Sequence, residues 1–179
     1  MRQTKKSIPF TTGCVKKPDM SHVFKWMDTP VGRLKLVASP KGLAAVLWPD
    51  DSPRRVPLGD VTEAVDHPIL VHAERELADY FSGRRTVFSV PLDFAGTAFQ
   101  TSVWRALLTI PFGETRSYGQ LAAQLGKPSA SRAVGAANGK NPISIIAPCH
   151  RVIGASGHLT GFAGGLETKA YLLRLEGAV

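Results

Sequence analysis

Apolar and polar positions along the chain follow two different rhythms, and the change falls near residue 93. In the first part Arg33-Leu34-Lys35-Leu36-Val37 alternates polar and apolar, Ser39-Pro40-Lys41-Gly42 supplies turn chemistry, and apolar residues then run from Leu43 to Trp48. Alternation, turn and apolar run predict a β-hairpin. The Pro-, Asp- and Arg-rich stretch 49–59 predicts a loop, after which Pro68 opens a helical pattern with Leu70, Ala73, Leu77 and Phe81 on one face and Gly83 at its end. Residues 87–92 predict a further strand. Residues 21–92 thus read as a small α/β unit, and nothing in it resembles an active site.

From residue 93 the period becomes helical. Asp93 to Thr97 reads as a hinge; Phe99, Val103 and Leu107 then fall on one helix face, and Pro111-Phe112-Gly113 stops that helix. Ser117 caps a short helix that turns Leu121, Ala122 and Leu125 inward, Gly126-Lys127-Pro128 is a turn, and Ser129 caps a third helix running toward Asn138. Helix, glycine-bearing turn, helix is the grammar of a helix-turn-helix. The third helix, Ser129 to Asn138, is built almost wholly of small residues around Arg132. That composition suits tight packing inside a protein, or a backbone pressed into a DNA groove with Arg132 as the long side chain entering the duplex. Both uses fit on opposite faces.

Composition narrows the class. An apolar fraction of 44% in 179 residues supports a folded core. No run approaches the roughly 18 apolar residues of a membrane span, and the first ten residues contain no apolar signal-peptide core, so a soluble, cytoplasmic protein is expected. The net charge of +8 is uneven: +4 over residues 1–20, −1 over 21–100 and +5 over 101–179. The last segment is the candidate for a polyanion partner. Residues 1–20, with Lys5, Lys6, Lys16 and Lys17 and no apolar period, read as a flexible basic leader. Cys14 and Cys149 are far apart and form no CxxC pair, so neither a disulfide framework nor a cysteine-rich zinc site is indicated.

The chemistry concentrates in Asn141-Pro142-Ile143-Ser144-Ile145-Ile146-Ala147-Pro148-Cys149-His150-Arg151-Val152. An apolar approach segment and a stiff proline deliver a thiol directly before a histidine and an arginine. A thiol in apolar surroundings is inert, whereas a nearby His or Arg lowers its pKa and populates the nucleophilic thiolate. The sequence therefore predicts a primed Cys149, the plain alternative being a buried structural cysteine.

Pro148-Cys149-His150-Arg151-Val152 closely resembles the active-site signature of the O6-alkylguanine-DNA alkyltransferases. The resemblance extends in order and spacing through Phe99-Gln100, Val103-Trp104, Ile110-Pro111, Gly113, Ser117-Tyr118-Gly119-Gln120-Leu121-Ala122, Arg132-Ala133-Val134-Gly135-Ala136, Asn141-Pro142, Gly164-Gly165-Leu166, Lys169 and a terminal Leu-Glu-Gly, covering residues 96–177. It implies a ribonuclease H-like N-terminal domain at 21–92, with a small antiparallel sheet plus a helix. A mainly α-helical C-terminal domain at 93–179 would carry a winged helix-turn-helix, the DNA-binding elements and the catalytic site.

The resemblance also implies roles. Cys149 would take the alkyl group from O6-alkylguanine, or from O4-alkylthymine, once per molecule. His150, Glu176 and a bridging water would remove the thiol proton; Asn141 would hold the turns around the cysteine segment; Tyr118 would donate its phenolic proton toward the departing guanine. Arg132, with Ser129, Ala130, Ala133, Lys127 and Arg151, would contact double-stranded DNA through the minor groove, with Lys140 as a further phosphate contact. The damaged nucleotide would be flipped into a pocket lined by Tyr118, Val152 and Ala163. A monomer without cofactor or metal is expected, since the histidines His22, His67 and His72 show no ligand spacing.

Two positions depart from the form frequent in relatives: Phe162 stands where tyrosine is common and Ala163 where serine occurs, making a less polar pocket. A non-catalytic alkyltransferase-like damage recogniser would lack the reactive cysteine, and Cys149 speaks against it. A transcription regulator would need several base-reading side chains on its recognition helix, where only Arg132 and Asn138 are candidates.

Overall fold

The computed structural model describes residues 21–179, so the leader expected at 1–20, including Cys14, lies outside the described residues. Strands β1 (His22–Thr29), β2 (Gly32–Ala38) and β3 (Leu43–Leu47) form an antiparallel meander. The predicted hairpin is β2–β3. A short β4 (Val61–Glu63) joins parallel to β1, giving the order β3-β2-β1-β4. The sheet is therefore mixed, not antiparallel as expected, and a three-residue strand is too short to show a period. β1 went unpredicted because both its faces are apolar. Met27 packs toward the main core, while Phe24 joins Val37, Ala45 and Val56 under the 49–60 loop.

Helix α1 (Pro68–Phe81) covers the other face of the sheet with Leu70, Ala73, Leu77 and Tyr80. Its Glu76 is buried too, and this residue explains why no strand forms at 87–92. The Glu76 carboxylate accepts hydrogen bonds from the backbone amides of Ser89 at 2.9 Å and Val90 at 3.1 Å. Those amides are consequently unavailable to a strand partner, and only an isolated bridge between Leu43 and Leu92 remains.

In the second half, α2 (Ala98–Leu107) and α3 (Tyr118–Gln124) each start with a capping box, Thr97 with Gln100 and Ser117 with Gln120. Each such cap stabilises its helix by about 1 kcal/mol. Helix α4 is Ser131–Gly139, so it starts later than predicted: Ala130 occupies the cap position and makes no side-chain cap. The turn before it closes through Lys127 N–H to the Ala122 carbonyl and Ala130 N–H to the Lys127 carbonyl, both 2.9 Å, which leaves Ser129 within the turn. Val103, Leu107, Leu121, Ala122, Val134 and Ala137 pack the three helices together. A two-stranded parallel pair, β5 (Arg116–Ser117) with β6 (Val152–Ile153), forms the wing, and α5 (Leu166–Leu175) closes the chain. Among the described residues no helix is long and apolar enough to cross a membrane.

The two halves meet along the outer edge of β3, the strand that ends the four-stranded sheet. Val46 N–H donates to the Pro142 carbonyl at 2.9 Å and bridges to Ile143. The apolar segment leading to Cys149 is thereby laid against the N-terminal sheet, and residues 141–150 are all buried.

Candidate active site

Cys149 opens a single 3₁₀ turn, Cys149–Arg151, directly after Pro148. The path into that turn is tightly held. Asn141, wholly buried, donates from its amide to the Ala147 carbonyl at 2.8 Å and accepts from Ile143 N–H at 3.1 Å. Its own carbonyl accepts from Arg55 Nη1 at 2.6 Å, and Arg55 is fixed in turn by Asp51. Asn138 reaches the Cys149 carbonyl at 3.5 Å. Between these ties Ile145 adopts φ of 73°, the left-handed region that a β-branched residue rarely enters. Such backbone strain, on the order of 1–3 kcal/mol, persists only where the surroundings over-determine the chain.

The thiol environment corrects one expectation. Cys149 is buried, and burial pushes its pKa up, outweighing the opposing influence of a hydrogen bond from Asn141 and the charges of Arg55 and Lys169. The thiol is thus protonated at rest and reacts only if a base removes its proton. The neighbouring histidine is arranged for that task. His150 is fully buried, and its Nε2 lies 2.7 Å from Glu176 Oε1.

Glu176 follows the last residue of α5, which returns the chain end to the site. Burial raises its carboxyl, but the hydrogen bonds from His150 and Arg151 win and hold it down to about 2. An ionised partner requires Nε2 to carry the ring proton, which leaves Nδ1 as the basic nitrogen. Nδ1 has no hydrogen-bond partner among the described residues. Burial also lowers the His150 pKa, against the raising effect of Glu176, so the ring is neutral and able to accept a proton.

Arg151 does not face DNA as expected. It is buried, with Nε on Glu176 Oε2 at 2.8 Å, Nη2 on Oε1 at 3.0 Å and Nη1 on the Ile110 carbonyl at 2.6 Å. A guanidinium inside the protein needs a carboxylate, and Glu176 supplies it. The remaining predicted DNA contacts do lie outward. Arg132, Ala133, Ser129 and Lys127 are exposed and Ala130 is half-buried. Lys127 Nζ sits 5.2 Å over the Phe99 ring, and Lys140 is also exposed. Val134 and Ala137 of the same helix are buried, so α4 does carry a packing face and an outer face.

Tyr118 stands beside that outer face with its hydroxyl 3.2 Å from Thr160 Oγ1, and its ring leaves space at Gly135 for an ordinary contact only. Ala163 is exposed, while Val152 is fully buried in the same cluster as Cys149.

Four residues given no role on sequence grounds help to build the site, three of them from the N-terminal unit. Arg55 braces Asn141 as described. Tyr80 of α1 donates to Glu176 Oε1 at 2.7 Å. Trp48 packs edge-on to Phe162 with ring centroids 5.4 Å apart and presses on Gly164. The fourth, Lys169, is fully buried on α5 and ties the Val152 and Thr160 carbonyls together at 2.6 and 2.9 Å. Lys169 stood among the residues that carry the family resemblance, though without a role; nothing in the sequence marks the other three. The N-terminal unit therefore takes part in the site after all.

This geometry agrees with what the chain is similar to. Residues 23–94 match the family model for the 6-O-methylguanine DNA methyltransferase ribonuclease-like domain, and residues 98–178 match that for its DNA binding domain. A methylated-DNA--protein-cysteine methyltransferase of Mycobacterium leprae is 49% identical over 84% of this chain and 89% of its own length. One from Methanosarcina acetivorans is 46% identical over 84% and 96%. The crystal structure of Mycobacterium tuberculosis OGT in complex with DNA superposes with a TM-score of 0.81 at 47% identity, covering 87% of this chain and 93% of that one. Two matched domains in order, and relatives near half identity across most of both chains, establish that this chain belongs to the 6-O-methylguanine DNA methyltransferase family.

Proposed function

We propose that the protein repairs DNA by direct reversal, transferring the alkyl group of O6-alkylguanine in duplex DNA to Cys149 once per molecule. The observation that carries this reading is the buried series Cys149, His150, Glu176, in which an ionised carboxylate fixes the imidazole tautomer beside a thiol that is protonated at rest. The thiol proton passes to His150 Nδ1 through a bridging water. Sulfur attacks the alkyl carbon as the carbon–O6 bond breaks, giving a thioether on Cys149 and a guanine anion. Tyr118 donates a hydrogen bond toward that anion, which takes one proton from water to give guanine while the His150 imidazolium returns the thiol proton to water, and Asn141 keeps the cysteine turn in place. A thioether has no ready leaving group, so the protein is consumed. O4-alkylthymine presents the same alkyl–oxygen bond and is a second substrate of this chemistry.

The buried position of Cys149 bears on how DNA is engaged. An alkyl carbon stacked in a duplex is out of reach of a thiol with 4% exposure, so the nucleotide is flipped into the pocket framed by Tyr118, Val152 and Ala163. Helix α4 lies in the minor groove with its small outer residues. Arg132 enters the stack, and Ser129, Ala130, Ala133, Lys127 and Lys140 line the approach. The protein acts as a monomer, with residues 21–92 bracing the site and 93–179 carrying it.

Intact-mass measurement after incubation with duplex DNA bearing one O6-methylguanine tests the reading. A stoichiometric gain of one methyl group on the Cys149 peptide, absent in Cys149→Ala, is expected. Tight binding of the lesion without any mass gain would instead make the protein a damage recogniser. Arg132→Ala should retain the fold yet slow transfer from duplex much more than from a single strand.

A further inference from the structure

We propose that Tyr80, contributed by α1 of the N-terminal unit, is a positioning residue for alkyl transfer: its hydroxyl holds Glu176 and, through it, sets the basicity of His150. The inference rests on the transfer reaction proposed above. It starts from one crowded oxygen. Glu176 Oε1 receives Tyr80 Oη at 2.7 Å, His150 Nε2 at 2.7 Å and Arg151 Nη2 at 3.0 Å, while Oε2 receives Arg151 Nε at 2.8 Å. Tyr80 and His150 thus compete for the same negative charge. Each donor on Oε1 weakens its pull on the others, because a carboxylate oxygen shared among several donors is a poorer acceptor for any one of them.

The ring of Tyr80 shows that the hydroxyl is placed and held. It is fully buried and packed by Phe81, Phe88 and Phe112, with centroids 5.3, 5.6 and 6.3 Å away. Phe112 belongs to the C-terminal half and also lies 5.8 Å beneath the Arg151 guanidinium. Among three phenylalanines a fourth would satisfy packing, so the hydroxyl has its purpose in the polar contact. It serves only as a donor there, since burial and the adjacent Glu176 charge push the phenol far above its usual range.

The groups facing His150 act in two directions. Burial, Arg151 and Lys169 favour its neutral ring, and Glu176 favours its charged one. Tyr80 in turn faces Glu176, Arg151 and Tyr171, and Cys149 adjoins Lys169. Removing the Tyr80 hydroxyl leaves more of the Oε1 charge to His150 Nε2–H. The imidazole then becomes more basic, and because imidazolium cannot accept the thiol proton, transfer should fail at a higher pH than in the wild type.

The test compares wild type, Tyr80→Phe and Phe88→Leu, the last loosening the packing of Tyr80 without touching Glu176. In the free protein, the proton resonance of His150 Nε2–H should move downfield in Tyr80→Phe, as its bond to Glu176 strengthens, and stay in place in Phe88→Leu. Site-specific 3-fluorotyrosine at position 80, a stronger donor that keeps the ring, should move it upfield. In single-turnover transfer from O6-methylguanine duplex, the acid limb of the rate profile should rise by about half a pH unit in Tyr80→Phe. An unmoved resonance in both Tyr80→Phe and the fluorinated protein, or an equal movement in Phe88→Leu, overturns the proposal. The resonance needs no substrate, so a wild type that transfers nothing defeats the functional reading while leaving the role of Tyr80 separately tested.

Discussion

Arg151 and Glu176 form a bidentate ion pair inside the protein, with both carboxylate oxygens engaged by the guanidinium at 2.8 and 3.0 Å. Breaking a buried pair from one side strands a charge, which typically costs 3–5 kcal/mol, roughly, when the partner is left behind. Arg151→Ala should therefore lower the urea midpoint severely without reducing the salt dependence of DNA binding. Lys127→Ala, on an exposed site, should leave stability within about 0.5 kcal/mol and reduce the slope of log affinity against log salt by about 1. The opposite pattern would return Arg151 to the DNA interface.

Acid stability has two windows with known sign. Glu176 is held down to about 2 in the folded protein, so its contribution, about 3 kcal/mol, is complete above the unfolded carboxyl value near 4.5 and disappears as pH falls toward 2. His150 is lowered by burial; unfolding lets it take up a proton, so stability also falls once pH drops below the ordinary histidine value near 6.5. Glu176→Gln should flatten the lower window and leave a less stable protein at neutral pH, as read by denaturant titrations at stepped pH. An unchanged slope in the lower window would exclude Glu176 as its source.

Cys149 should react slowly with iodoacetamide at neutral pH and accelerate only above the usual thiol range, since burial raises its pKa. Alkylation rates across pH, followed by mass, check this. A rate already at its plateau near neutrality would mean that the thiol is preionised and that His150 is not required as a base.

Two glycines should respond oppositely to alanine. A Cβ at Gly164 would come within 2.8 Å of the Trp48 ring, whose rigid indole is part of the packed core. Gly164→Ala should cost about 1–3 kcal/mol and slow transfer by displacing the loop that carries Ala163. At Gly135 the added methyl meets the Tyr118 ring at 3.6 Å, an ordinary contact, and removes a glycine from α4. Gly135→Ala should be neutral or stabilising by about 0.5–1 kcal/mol. Thermal melting of both variants distinguishes them, and equal destabilisation would contradict the packing described.

Local chemistry was sufficient for the parts of the molecule that satisfy themselves within a few residues. The β2–β3 hairpin was legible from alternation around a Ser39–Gly42 turn, α1 and α3 from an apolar face with Pro68 or Ser117 at the start, and α2 from the spacing of Phe99, Val103 and Leu107 alone, its Thr97 cap having been read as part of a hinge. The Pro148–Val152 signature singled out Cys149 and His150 because the proposed nucleophile and its proposed base are adjacent. What remained hidden depends on partners far away in the chain. The Ser89 and Val90 amides are claimed by Glu76, so an apparently good strand is none. Arg151 looks like a DNA contact until Glu176, 25 residues on, folds back to neutralise it. The Cys149 pKa depends on how much water the fold excludes, and here burial outweighs the cations that the sequence displays beside it. Tyr80 and Arg55 reach the site from 96 and 86 residues away. Adjacent residues thus named the reaction, while tertiary burial decided which charges are paired, which side chains stay neutral and which half of the chain holds the Glu176 carboxylate in place, because desolvation and hydrogen-bond competition exist only once distant segments meet.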